Sequence, residues 1–134
     1  MNGVTWVQGG SYAGRLATLQ DMASQNVLHY VDPEGVESSI AIDIDGLSGS
    51  PDGITYIGDS ASGLYDGHLA IVDGSNDAIY IVDQAAGLQH TIPLPASSEM
   101  QGIVHLPGSD SFLTVDWADQ LARIVHSNDH IFDR

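Results

Sequence analysis

DGITYI, residues 52–57, decides the fold, because the chain carries nearly the same phrase twice more. NGVTWV at 2–7 and QGIVHL at 101–106 match it at spacings of 50 and 49 residues. In each copy a polar residue and a glycine lead into an alternating run of β-branched and aromatic residues, the pattern of a half-buried strand. Working outward, each phrase is followed by a Gly- or Ser-rich turn and a second alternating run: RLATLQD at 15–21, HLAIVDG at 68–74 and FLTVDWA at 112–118. A third run comes next, VLHYVD at 27–32, AIYIVD at 78–83 and LARIVHS at 121–127. The first two copies add a fourth, SSIAIDI at 38–44 and QHTIPLP at 89–95, whereas the third reaches only NDHIFDR at 128–134.

Leu16, Leu19, Met22 and the residues up to Val27 can also be written as an amphipathic helix. The repeat overrules that reading, since the counterparts Leu69 to Val72 and Leu113 to Val115 are too short and too β-branched for helix, and copies of one unit share one structure. The sequence therefore predicts an all-β fold of β-propeller blades, three repeats of about 50 residues with four antiparallel strands each. The expected blades are 2–50, 51–100 and 101–134, the third incomplete. One such blade exposes two apolar faces, and stacking against neighbours buries them. Three blades do not close a ring, so the expected partner is a second copy forming a homodimer of six blades, or further blades of a longer chain. A β-trefoil, which also repeats a four-stranded unit three times, is the alternative.

Charge bounds the function. Eighteen Asp and Glu stand against three arginines and no lysine, a formal net charge of −15. Nucleic acid and anionic membrane surfaces are excluded as partners, because both require cationic side chains to displace counterions. The chain has no cysteine, so disulfides, thiolate metal sites and cysteine nucleophiles are excluded too. No apolar run approaches the roughly 20 residues of a membrane span, and no basic-then-apolar leader opens the chain, which reads as soluble.

The stretch IVDGSNDAIYIVD at 71–83 joins the second and third strands of the middle copy through a turn rich in Asp and Asn. A strand ending in aspartate, a tight polar turn, then Ile-x-x-Val/Ile-Asp resembles the NHL repeat and the related gluconolactonase-like six-bladed propellers. DGITYI also fits their Glu-Gly opening of the innermost strand. This chain departs from the pattern at Asp77, where the family carries a basic residue, and at Asn2 and Gln101, where the first and third copies lack the opening acid. The resemblance implies that the heads of the inner strands share a face with the turns between second and third strands, placing Asp21, Asp73 and Asp116 beside Asn2, Asp52 and Gln101. It further implies a metal set of Asp52, Asp73, Asp116, Asn2 and Gln101, an oxygen-rich array suited to Ca2+ or another divalent cation. The plainer reading of Asp73 and Asp116 is structural, since aspartate at a strand end accepts hydrogen bonds from turn amides. Asp32 and Asp83 are expected to form turns on the opposite face.

Trp6, Tyr56 and His105 occupy one equivalent position per copy and are the candidate ligand-binding set, either lining a site or packing between blades. Among His29, His68, His90, His105, His126 and His130 there is no i, i+4 pair and no H-x-H. DIDGLSGSPDG at 43–53 lacks the ligand alternation of an EF-hand and reads as a blade connection, and GLSGS at 46–50 is not a nucleophile elbow. Two functions stay open. One is a non-catalytic binding module for a protein, peptide or glycan, calcium-stabilised or not, with recognition through the Trp6, Tyr56 and His105 set or the loop 58–67. The other is a metal-dependent lactonase or esterase with Asp52 or Asp116 as base.

Overall fold

The computed structural model describes residues 2–20, 26–42, 51–95, 99–117, 120–126 and 131–133. Its strands form three separate four-stranded antiparallel sheets, each a meander in which strands pair only with their neighbours in sequence. The first sheet is β1 Asn2–Val7, β2 Arg15–Gln20, β3 Asn26–Val31 and β4 Glu37–Ile42. The second is β5 Gly53–Tyr56, β6 Leu69–Asp73, β7 Ala78–Val82 and β8 Leu88–Pro93. The third is β9 Met100–His105, β10 Ser111–Asp116, β11 Leu121–His126 and β12 Ile131–Asp133. These are the blades that the repeat predicts.

Two expectations are corrected. The third unit does not stop after three strands: β12 pairs with β11, with Val125 opposite Ile131 and Arg123 opposite Asp133, and completes the sheet with a short edge strand. The trefoil alternative fails with the topology, since each sheet closes within its own repeat and none is shared between repeats. The segment written above as either helix or strand is strand over β2, and Asp21 and most of the 43–53 connection lie outside the described residues.

The sheets stack face to face, with β1 beside β5 and β5 beside β9. One core joins Val7, Leu19, Leu28 and Tyr30 of the first sheet to Leu69, Ile71 and Val82 of the second. Another joins Val72, Ile79 and Ile81 of the second to Met100, Phe112 and Val125 of the third. The middle sheet is thus covered on both sides, which is why LAIVD and AIYIV read as continuous rather than alternating apolar runs, every residue of β6 and β7 being buried. The outermost strands β4 and β8 are mostly exposed or half-buried, with only Ile42 and Ile92 buried in them.

The repeated glycine of the inner strands has a steric cause. A Cβ on Gly3 would lie 3.1 Å from Cα of Gly53, and one on Gly53 would lie 3.4 Å from Cα of Gly102. Gly3 is held to glycine by that approach and by its φ of 76°, whereas 3.4 Å at Gly53 is close to an ordinary contact. Two residues on, the threonine of one inner strand accepts a hydrogen bond from the backbone of the next: Tyr56 N–H donates to Thr5 Oγ1 at 2.9 Å, and His105 N–H to Thr55 Oγ1 at 3.1 Å. Gln84 ties the first two sheets together farther out, donating from Nε2 to the carbonyls of Gly9 and Gly67 and accepting from Tyr12 N–H.

Candidate functional site

The stretch 71–83 forms a turn whose aspartate serves the turn itself. Asp73 is fully buried at the end of β6, and its carboxylate accepts from Ser75 N–H, Asn76 N–H and the Asn76 side-chain amide at 3.0 to 3.3 Å. Asp116, at the same place in β10, is also fully buried. It accepts from Glu99 N–H and lies 3.3 Å from Nε of Arg123. Asp32 and Asp83 hold the turns that follow β3 and β7, as expected. Oδ1 of Asp32 takes the amides of Glu34 and Val36, and Oδ1 of Asp83 those of Ala85 and Gly87.

Asp52 and Gln101 do come together at the heads of the inner strands. With Gly74, Asp77, Glu99 and Trp117 they line an open hollow of about 670 Å³. Asp52 Oδ2 accepts from Gly74 N–H at 3.0 Å, which docks the β6–β7 turn onto the entrance of β5. Gly74 must be glycine here, since a Cβ would stand 2.8 Å from the carbonyl oxygen of Met100. Trp117 N–H donates to the Glu99 carbonyl, fixing the stem of an indole that is 65% exposed. Asn2 opens β1 opposite Leu19, one residue before the Gly3 that lies against Gly53. Of the five residues that the resemblance offers to a cation, Asp73 is buried in its own turn and Asp116 in an ion pair, while Asp52 and Gln101 border the hollow. Among the described residues no three His, Asp or Glu side chains form a group able to hold a metal.

At the opposite ends of the inner strands Trp6, Tyr56 and His105 line, with Thr5, Thr55 and Val104, a second hollow of about 370 Å³. Trp6 is 48% exposed, whereas His105 is buried, with Nε2 2.8 Å from the Ser109 carbonyl and its ring edge-on to Phe112. The long loop 58–67 is pinned rather than open. Asp66 accepts from the amide and hydroxyl of Ser60, and Asp110 from those of Ser62. The Ser62 amide above all, opposed by burial and helped by the Ser62 hydroxyl, holds the Asp110 carboxyl below its ordinary value.

Sequence reasoning missed Glu99, Asp77 and Trp117 as parts of the first hollow. Trp117 carried a signal: a large aromatic one residue past the buried end of β10 lies beyond the core alternation and has no apolar face to fill.

These features define an all-β protein of stacked four-stranded blades, the propeller-like class. No protein-family model matches the chain, and none of the curated proteins does. In three dimensions it is similar to a chain in the crystal structure of a nidogen/laminin complex, at 14% identity and a TM-score of 0.68, over 98% of this chain and 45% of that one. It is also similar to a streptogramin B lyase, at 16% identity and a TM-score of 0.67, over 99% of this chain and 39% of the lyase. The chain spans less than half the length of either, and at these identities the likeness concerns the fold. Among the described residues no helix is long and apolar enough to cross a membrane.

Proposed function

We propose that the chain is a non-catalytic binding module of the propeller type, whose hollow at the inner-strand heads takes a lysine- or arginine-bearing segment of a partner protein or peptide. The observation that carries this reading is the lining of the hollow, which Asp52, Asp77 and Glu99 share with the exposed indole of Trp117. An aromatic face amid carboxylates attracts an ammonium or guanidinium group through its quadrupole and through charge, and the net charge of −15 draws cations in from a distance. The lactonase-like reading has less support, because Asp116, one of its two candidate bases, faces Arg123 inside the protein. The calcium-stabilised form draws little support, because Asp73 and Asp116 are engaged in a turn and an ion pair inside the protein.

Trp117 supplies its own probe. Titrating the Trp6→Phe variant with a lysine-rich peptide should change Trp117 fluorescence saturably, more weakly at high salt, and the acetylated peptide should not. A Trp117 response unchanged by the double variant Asp77→Asn and Glu99→Gln, or a calorimetric peptide affinity unchanged by Trp117→Ala, would overturn the assignment.

A further inference from the structure

Glu99 borders the first hollow from the connection between β8 and β9, just ahead of the strand that begins at Met100. Both of its backbone polar groups go to two consecutive residues at the end of β10. Its N–H donates to Oδ1 of Asp116 at 3.3 Å, and its carbonyl accepts from Trp117 N–H at 2.9 Å. The register explains the grip: the bulge between Val115 and Asp116 puts Asp116 opposite Met100, which brings Glu99 against Trp117 one step further on. The carboxylate and the indole that share the hollow are therefore set by one short stretch of chain.

The anchor is itself anchored. Asp116 sends its other oxygen, Oδ2, to Nε of Arg123 on the neighbouring strand. Asp116 is fully buried and Arg123 is 7% exposed, and neither lines the hollow. A carboxylate gripped by a guanidinium in the core is a fixed acceptor for the amide on its other side. Asp52 differs, since it is held in the hollow by its own bond to Gly74 N–H. Glu99 has the longer side chain, so its backbone anchor decides where its carboxylate can go.

We infer, resting on the reading of the hollow as a site for a cationic side chain, that Asp116 and Arg123 are its positioning residues: Asp116 keeps Glu99 in place with the Trp117 indole, and Arg123 keeps Asp116. A pair that never touches the ligand thereby sets its affinity. Attraction to the ring face and attraction to the carboxylate add only where one ammonium meets both, so a Glu99 loosed from its anchor keeps its charge and loses that alignment.

Two double variants separate position from charge. Asp116→Leu with Arg123→Met removes the acceptor of the Glu99 amide, whereas Asp116→Asn with Arg123→Gln keeps an oxygen there; each removes one charge of either sign, so the net charge stays at −15. In the Trp6→Phe background the first should raise the calorimetric dissociation constant of a lysine-rich peptide about tenfold and weaken the near-ultraviolet circular dichroism of Trp117, while the second stays within about twofold of the parent. Cooperative urea unfolding checks that both keep the fold. Independently of any variant, amide hydrogen exchange at Glu99 should be slowed in the chain itself. A Glu99 amide that exchanges as fast as in an open chain, equal losses in the two double variants, or a folded first variant with the affinity and dichroism of the parent would each overturn the inference. If the dichroism falls as expected but not even the parent binds the peptide, the anchoring stands and the reading of the hollow as a cation site falls.

Discussion

Asp116 on β10 and Arg123 on β11 form an ion pair inside the protein, Oδ2 to Nε at 3.3 Å, with Asp116 fully buried and Arg123 7% exposed. One of only three cationic side chains in the chain is therefore committed to holding a carboxylate in the core. Removing one partner of a buried pair leaves the other charge uncompensated. Arg123→Ala and Asp116→Ala should each cost about 3 kcal/mol in urea unfolding, and Asp116→Leu combined with Arg123→Met should recover most of it. A single substitution costing less than about 1 kcal/mol would show that water reaches the pair.

Asp77 and Gln120 stand at the same point of two copies, the last residue before the third strand, and both are left-handed, with φ of 51° and 55°. Aspartate tolerates that region better than glutamine does, and Gln120 is exposed, so it gains no packing in return. Gln120→Gly should raise stability by about 1 kcal/mol, while Asp77→Gly should change it by less. Equal effects at the two positions, measured by thermal melting, would contradict the argument.

The blades were legible because a repeat amplifies a weak signal. No single copy distinguishes strand from helix over residues 16–27, but HLAIVDG and FLTVDWA at the equivalent place do. The site was less legible, because an aspartate at a strand end looks the same whether it faces a ligand, a turn or an arginine. Asp52, Asp73 and Asp116 show the difference: one borders an open hollow, one closes its own turn, and one meets Arg123 from the next strand. The relation of Trp6, Tyr56 and His105 could be read, since equivalent positions on adjacent inner strands must be neighbours. The hollow around Trp117 could not, since Asp77 and Glu99 reach it from a turn and a connection with no equivalent spacing.

Gln84 follows from nothing in the repeat, yet its side chain binds three backbone groups in two turns, 8–14 and 57–68. Its amide donates to Gly9 and Gly67 at 2.7 and 2.8 Å, and its oxygen takes the amide of Tyr12 at 3.0 Å. Gly10 makes room for it, since a Cβ there would lie 2.5 Å from Nε2. Gln84→Ala should cost about 2 kcal/mol by stranding these partly buried groups, and Gln84→Glu about as much, because a carboxylate cannot donate to the two carbonyls. Chemical denaturation of the two variants checks this, and a Glu variant as stable as the original would place the stabilisation in packing.

Tyr30 gives the protein an alkaline limit. Its hydroxyl donates to the Gln84 carbonyl at 2.7 Å, and its ring stacks on Tyr12 with centroids 3.9 Å apart. Burial above all, then the negative charges that Tyr12 and Asp83 carry when ionised, pushes its pKa far above the ordinary tyrosine value of 10.0. The folded chain therefore holds a proton that the unfolded chain releases near pH 10. This contribution is fully present below that pH and is lost as pH rises toward the folded-state value. Tyr80 is shifted the same way, by burial and then by Asp73. Tyr30→Phe should cost about 1 kcal/mol at pH 7, where the Gln84 carbonyl loses its donor, but should flatten the fall in stability above pH 10 by up to one proton's worth of slope, leaving the share of Tyr80. Urea unfolding at pH 7 and above pH 10 separates the two effects: a variant that loses stability with pH as steeply as the original would mean that the phenol ionises within the folded protein.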